Sequence, residues 1–370
     1  MERFDVVLVG AGIAGAATAW ALARRGVRSV LLVEREEGGD RHSTGRNAAI
    51  LRTAIPDPAL HVLARESRAF HLAPPPGFAD APQAQGQGLV LGASEEAAGG
   101  LLAWTRRPEC SAGGEEVSPE EVRARVPAVG PRLAAAVGYP LEGTLDVHAL
   151  HQGFLRGALA AGHCLWTRTE ARQLRLENGR VIGLHTSREE VACGTAALCG
   201  GAWAAELARR AGLDLALEPR RRHLAKTARL RQVDPDGPVV WLHGPEFYLR
   251  PESGGLLLCA CEQTPVPPDE SERTDPSALE ELAARAATWI PSLADAPIEN
   301  WWAGARTFAP DGRFVVGRDP RAEGLAWVAA LGGHGITTAP AIGALAAEWI
   351  VEGSSRHPSA AALAPARLVP

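Results

Sequence analysis

The chain has 370 residues, 46% of them hydrophobic and 22% charged, with a formal net charge of −5. That length exceeds one ordinary core and implies two intimately connected domains. The mildly acidic balance excludes the basic surface that nucleic acid or an anionic membrane demands, and no apolar run approaches the roughly 20 residues of a membrane span. Cys110, Cys164, Cys193, Cys199, Cys259 and Cys261 show no CxxC and no Cys/His ligand spacing, so no metal is expected. Lys226 is the only lysine among 38 basic residues. The first strand begins at residue 4 or 5, which leaves no room for a signal peptide and makes the cytoplasm the expected compartment.

The opening stretch, Phe4 to Glu34, sets the frame. Asp5 to Val9 is an apolar run suited to a parallel strand buried on both faces. Gly10-Ala11-Gly12-Ile13-Ala14-Gly15 turns into an Ala-rich helix that ends near Arg25 and Gly26, and Ser29 to Val33 is a second buried strand. Gly10 permits the turn, Gly12 lets backbone amides reach a pyrophosphate, and Gly15 allows close helix–strand packing. The helix start offers unpaired N–H groups and a partial positive charge to phosphates. Glu34, 19 residues after Gly15, is placed to accept from ribose hydroxyls. Strand, turn, helix, strand and acid in register mark a dinucleotide site, and an acid at this place disfavours a 2′-phosphate.

A polar loop from Arg35 to His42 leads to Ser43-Thr44-Gly45-Arg46-Asn47-Ala48. Small hydroxyl residues followed by Gly and Arg predict a helix start that passes the pyrophosphate a second time. An inserted second phosphate loop favours FAD over NAD. Pro56-Asp57-Pro58 starts a helix to about His71, Leu89 to Leu91 is a strand, and Ser118-Pro119-Glu120-Glu121 is a capping box. Asp146 to Leu159 is helical, with Asp146 and His148 as expected caps. Gln173 to His185 forms a hairpin turned by Asn178-Gly179. The strand Thr195 to Cys199 ends in Gly200-Gly201-Ala202-Trp203, again a place for backbone to approach a ligand.

From Glu218 the pattern becomes antiparallel β, with strands expected from Arg220, Val239, Phe247 and Leu256. Cys259 and Cys261 are expected on one face of the last of these. Tyr248 should face opposite to Phe247 and Leu249. Pro265 to Asp275 reads as a charged, Pro-rich loop, either a lid or a connection. A helix over Ala278 to Ile290 and strands over Glu299 to Arg306, Phe314 to Gly317 and Leu325 to Leu331 complete the pattern. Gly332-Gly333-His334-Gly335-Ile336-Thr337 then opens a long Ala-rich helix, and the tail from Ser354 is expected to fray.

These motifs together, with Arg306 before Pro310-Asp311-Gly312, resemble the D-amino-acid oxidase-like family of FAD-dependent oxidoreductases. Within it, Ser43-Thr44-Gly45-Arg46 and the Phe247-Tyr248 strand look most like the D-arginine dehydrogenase branch. Ile50, Leu51, Arg52 and Thr53 stand where that branch carries a His and a Tyr. The resemblance implies an α/β fold: a Rossmann-type FAD-binding domain (1–77, 144–217 and 306–353), a β-rich antiparallel substrate domain (78–143 and 218–305), and a tail over 354–370. It implies noncovalent FAD, with Tyr248, Arg306 and Arg222 on the substrate carboxylate. His334 is a weaker candidate, and Gly335 and Thr337 are expected at the flavin edge.

The expected activity is oxidative deamination of a D-amino acid, with hydride passing from Cα to flavin and the imine hydrolysed to a 2-oxo acid and ammonia. Some relatives activate oxygen with a lysine, and Lys226 does not match that position, so a dehydrogenase with an unassigned electron acceptor is favoured. Trp241, Trp301, Trp302 and Phe247 would make the pocket apolar. Two alternatives stand beside this: oxidation of a secondary amine in the manner of sarcosine or glycine oxidases, and a non-catalytic dinucleotide-binding redox module.

Overall fold

The computed structural model describes residues 1–79 and 81–369. Three sheets carry the chain. The first is built on Glu2–Val9, which pairs in parallel with Val30–Val33 on one side and with Glu190–Leu198 on the other. Cys164–Trp166 and Leu325–Ala329 extend it in parallel, Val315–Arg318 adds an antiparallel edge, and the hairpin Ala171–Glu177/Arg180–Thr186 pairs with the start of Glu190–Leu198. Successive residues of the first strand serve opposite cores. Val6 and Leu8 pack with the helices Ile13–Arg24, Val147–Ala160 and Gly335–Glu352, while Val7 packs with Leu31, Trp327 and Leu207 on the other face. Burial on both faces explains why these strands read as continuous apolar runs.

The second sheet has nine strands and is antiparallel except where Val239–His243 runs parallel to Leu89–Ala93. Its longest pairing joins Glu218–Thr227 to Ile298–Phe308. A three-stranded sheet, formed by Ile50–Leu51, Ala84–Gln85 and Gly143–Leu145, lies between. The Asn178-Gly179 turn has φ of 50° and 74°, the two left-handed residues a tight hairpin requires. The capping box at Ser118 forms in full, and Asp57 caps the helix Pro58–Leu72.

Several expectations are corrected. Residues 43–47 form turns and bends, not a helix: Thr44 spends its hydroxyl on the Ile13 amide and Ser43 donates to the Ala305 carbonyl, so both serve other segments. Asp146 alone caps its helix, at 2.8 Å from the Ala149 amide, and His148 instead faces Asp40. Cys261 leaves the strand Gly255–Cys259 with φ of 58°, so the two thiols meet by a bend rather than by alternation. The tail docks: Leu363 and Ala360 are buried, and Arg367 bonds Asp311 at 2.8 Å. No helix is long and apolar enough to cross a membrane among the described residues.

Candidate active site

The carboxyl ends of the parallel strands open onto a cleft of about 1430 Å³, counting its open mouth. Its walls include Gly10, Gly12, Ile13, Ala14, Glu34, Arg35, Ser43, Thr44, Asn47, Gly200, Gly201, Trp203, Arg306, Gly333, Gly335 and Ile336. Sixteen sequence-picked residues therefore meet at one place, brought from six separate stretches of chain. This is where an open α/β sheet binds its ligand, outside the carboxyl ends of its strands.

The Gly-rich turn is held in an exacting geometry. Gly10 has φ of +103°, and a Cβ there would lie 2.7 Å from the Cys199 carbonyl oxygen. The Ala11 amide donates to Glu34 Oε2 at 2.9 Å, so the acid braces the turn as well as lining the cleft. Gly39, missed in the sequence, packs against the same turn: a Cβ would stand 1.9 Å from the Ala11 carbonyl oxygen. That oxygen already accepts from His151 Nε2 at 2.8 Å. Arg35 lies over the Trp203 ring at 3.7 Å, closing one rim.

Eight picked positions are not on the wall: Arg222 and Tyr248, which stand on the antiparallel sheet, and six on the cofactor side. Gly15 lies behind the turn, where a Cβ would meet the Gly10 carbonyl oxygen at 1.9 Å, the close packing expected of it. Gly45 packs on the Asp40 carbonyl. Arg46 donates to the Ala303 carbonyl and pairs with Glu272 at 3.0 Å. Ala48 gives its carbonyl to Arg250, and Thr337 donates to the Ile50 carbonyl at 3.0 Å. His334, next to the helix start, is partly buried, and burial with Arg52 and Arg222 nearby pushes its imidazole down to about 3, so it is neutral at working pH.

At the Arg306–Gly333 end the cleft meets the antiparallel sheet. Arg222 pairs with Gly304 and Arg220 with Arg306, so Arg222 and Arg306 are diagonal neighbours on one sheet face with glycine between them. Gly304 leaves the room: a Cβ would lie 3.6 Å from Arg306 Nη1. Tyr248 joins this face beside Cys259 and Leu224, whereas Phe247 and Leu249 fall in the core on the other side. The same alternation splits the expected apolar wall: Trp241 and Trp302 stand with Tyr248, but Phe247 and Trp301 do not. Trp241 and Tyr248 rings lie 4.6 Å apart. Burial raises the Tyr248 phenol well above its ordinary range, so it remains a hydroxyl donor. Burial lowers Arg306, which donates to the Ala305 and Arg46 carbonyls at 2.9 Å each.

Sequence reading missed Arg52 as a site residue. It is 7% exposed, its guanidinium lies 4.4 Å over the Trp241 ring, and its Nε donates to the Ala54 carbonyl at 3.0 Å. The signal was a lone charge inside the apolar run Ala48-Ala49-Ile50-Leu51-Arg52-Thr53-Ala54-Ile55. Residues 265–275, read as a lid or a connection, are tied to the rim of the cleft. Asp269 accepts from Trp203 Nε1 at 2.8 Å and Glu272 bonds both His42 and Arg46.

A cleft of this size, with a tight glycine cradle, an acid at the end of the second strand and a second glycine turn at a helix start, fits a flavin dinucleotide. Comparison with known proteins agrees. The family described as FAD dependent oxidoreductase matches residues 5–349. Glycine oxidase of Pseudomonas aeruginosa is 31% identical over 95% of both chains, and that of Geobacillus kaustophilus 28% over 94% of this chain and 93% of its own. The solved glycine oxidase from Geobacillus kaustophilus superposes with a TM-score of 0.82 at 26% identity, covering 96% of this chain and 97% of its own. L-Proline dehydrogenase from P. horikoshii shares the fold, with a TM-score of 0.86 at 24% identity and coverage of 97% and 96%. Glycine oxidases thus recur where the sequence pattern pointed to a D-arginine dehydrogenase branch. The chain belongs to the D-amino-acid oxidase-like family of FAD-dependent oxidoreductases and acts, with FAD as cofactor, on an amino-acid or amine substrate.

Proposed function

We propose that the chain oxidises a carboxylate-bearing amine of the glycine type, primary or N-substituted, at the carbon between carboxylate and nitrogen. The observation that carries this is the Arg222–Arg306–Tyr248 face beside the Gly333 end of the cofactor cleft. A planar, permanently charged guanidinium suits a carboxylate, and two anchors fix which C–H bond points into the cleft. The Gly10–Gly15 turn and Ser43–Asn47 would hold the pyrophosphate, Glu34 the ribose, and Gly333–Ile336 the flavin edge. The 1–77, 144–217 and 306–353 segments would form the cofactor domain, with 78–143 and 218–305 over the substrate.

FAD, when bound, supplies the two-electron acceptor. The C–H hydrogen leaves with its electron pair and the nitrogen loses a proton to solvent. The resulting imine takes up water to give an oxo acid and ammonia or an amine. Arg306 and Arg222 hold the carboxylate, and the un-ionised Tyr248 hydroxyl donates to it. His334 is neutral, and its amide and carbonyl bond Leu331 and Thr338 in the turn.

D-amino-acid deamination is the second reading on the same anchors, favoured by the Trp241 and Trp302 rings on that face. D-arginine fits poorly, because Arg52, Arg222 and Arg306 would repel its guanidinium. The reading as a non-catalytic module is set aside. Lys226 is engaged by Glu299 at 2.6 Å and is not on the cleft wall, which supports an acceptor other than oxygen. The relatives named oxidases support oxygen, and oxygen uptake against dye reduction decides. The test of the reaction is product analysis with glycine, sarcosine and both alanine enantiomers. Glyoxylate with ammonia from glycine, and glyoxylate with methylamine from sarcosine, is the expected result. Release of products from L-alanine alone, or from none of the four, would refute it.

A further inference from the structure

Five arginines are less than a tenth exposed: Arg52, Arg221, Arg222, Arg250 and Arg306. Two of them have carboxylate partners, Arg221 with Asp275 at 3.0 Å and Arg250 with Glu252 at 2.8 Å. Among the described residues no carboxylate oxygen lies within 4.0 Å of the other three. A buried guanidinium without a counter-charge is costly, and folds retain one where something else brings the charge.

The hydrogen bonds sharpen the contrast. Arg306 satisfies Nη1 and Nη2 on backbone carbonyls. Arg222 donates only Nε, to the Glu262 carbonyl at 3.4 Å, and Arg52 only Nε, to Ala54. The terminal nitrogens of both therefore have no partner among the described residues. None of them is among the fully sealed, unpartnered atoms, so they open onto space rather than onto packed protein.

Neither is on the cleft wall itself, but each is tied to its Gly333–Gly335 end: Arg222 is the diagonal neighbour of the wall residue Arg306, and the Arg52 amide donates to Thr337 Oγ1 at 3.5 Å. Arg52 and Arg222 both depress His334, which lies between cleft-lining Gly333 and Gly335. The Arg52 guanidinium stacks on Trp241, and Trp241 on Tyr248. The carboxylates whose charge acts on Arg52 are Glu246 and Glu142, and among the described residues neither reaches it within 4.0 Å. Glu246 accepts from Trp241 Nε1 at 2.9 Å, and Glu142 is bound by the Thr53 amide and hydroxyl, with burial pushing it up to about 7.

Even with Glu246 nearby, one substrate carboxylate does not balance three such charges. We propose that the substrate carries a second anionic group, and that this enzyme takes an amino or imino dicarboxylate. Arg306 and Arg222 hold the carboxylate next to the reacting carbon, and Arg52 recognises the distal one from its place on Trp241. This rests on the reading of the site as a carboxylate-amine oxidase and names the class of amine it selects.

The test uses the holoenzyme and measures kcat/KM by dye reduction for two near-isosteric pairs, D-aspartate against D-asparagine and D-glutamate against D-glutamine, and for iminodiacetate against sarcosine, which lacks the second carboxylate. A second charge-assisted anchor predicts a preference of at least about 30-fold for the dicarboxylate in one or more pairs. Arg52→Gln collapses that ratio mainly through KM, and Arg52→Lys restores part of it. Equal turnover within every pair of the unmutated enzyme overturns the proposal even if the variants fail to fold. A preference that survives Arg52→Gln in an enzyme still holding FAD overturns the role of Arg52. Turnover of glycine and sarcosine with none of the dicarboxylates sinks this inference alone, whereas turnover of no carboxylate amine sinks the parent reading with it.

Discussion

Arg306 concentrates the site's chemistry in one side chain. Its planar head is aimed by two backbone carbonyls and packed beneath Gly333, so a shorter or non-planar replacement loses both aim and charge. Arg306→Gln should lower kcat/KM for the best substrate by about 10²-fold, from loss of a charge-assisted pair of roughly 1.5–3 kcal/mol, while the visible spectrum of bound flavin persists. Tyr248→Phe removes one donor and should raise KM by about 10-fold with little change in flavin content. A variant at either position with wild-type kcat/KM would remove that residue from the carboxylate site. Tyr248 was legible because strand alternation assigns its face from its neighbours alone. Arg222 and Arg306 were picked from a family pattern, and their mutual placement follows from a pairing register that spans over 80 residues of sequence. Arg52 was not legible as a site residue, because its role depends on Trp241 from a distant strand and on partners that turn out to be absent.

At the scale of elements, the glycine turn and the segment at the rim of the cleft behave differently. In the turn, Gly15 has no space: an added Cβ would overlap the Gly10 carbonyl oxygen at 1.9 Å, and that backbone is fixed by the strand. Gly15→Ala should therefore yield a folded but colourless protein, and a yellow one with ordinary affinity would contradict the cradle. The segment 265–275 is joined to the cleft rim by Asp269 and Glu272. Glu272→Gln weakens the contacts to both His42 and Arg46, and FAD should dissociate several-fold faster on dilution, since each of these half-buried ion pairs is worth about 1 kcal/mol. An unchanged off-rate would make the segment a mere connection. The turn was readable because its glycines answer to local geometry. Residues 43–48 were misread as a helix because the same hydroxyl-plus-glycine chemistry also serves a loop whose side chains cap other segments.

For the whole molecule, the buried Glu142 makes stability depend on pH. It links the three-stranded sheet to the nine-stranded one, with its carboxyl on Thr53 and its carbonyl accepting from the Gly88 amide at 2.9 Å. Its ordinary value is 4.5, and burial raises it to about 7 in the fold. Between these values the folded chain keeps a proton that the unfolded chain has lost. Stability from this group is thus whole below pH 4.5 and falls as pH rises to about 7, by about 3 kcal/mol in total. Glu142→Gln should flatten the difference in denaturation midpoint between pH 5 and pH 8, and an unchanged slope would place the dependence elsewhere. The two-sheet architecture was visible from the sequence as a change from alternating βα segments to antiparallel strands. The short strands around residues 84–85, 115–117 and 143–145 were not, because their pairing is set by tertiary neighbours rather than by their own pattern.

The central question is whether a carboxylate amine delivers electrons to FAD held in this cleft. The direct measurement is the visible spectrum of the purified yellow protein, titrated anaerobically with glycine, sarcosine, D- and L-alanine, D-aspartate and iminodiacetate. The prediction is bleaching of the flavin band by glycine-type or D-configured amines, not by L-alanine, and its loss in Arg306→Gln at the same substrate concentrations. A protein whose bound flavin is reduced by dithionite but by none of these amines would contradict the account.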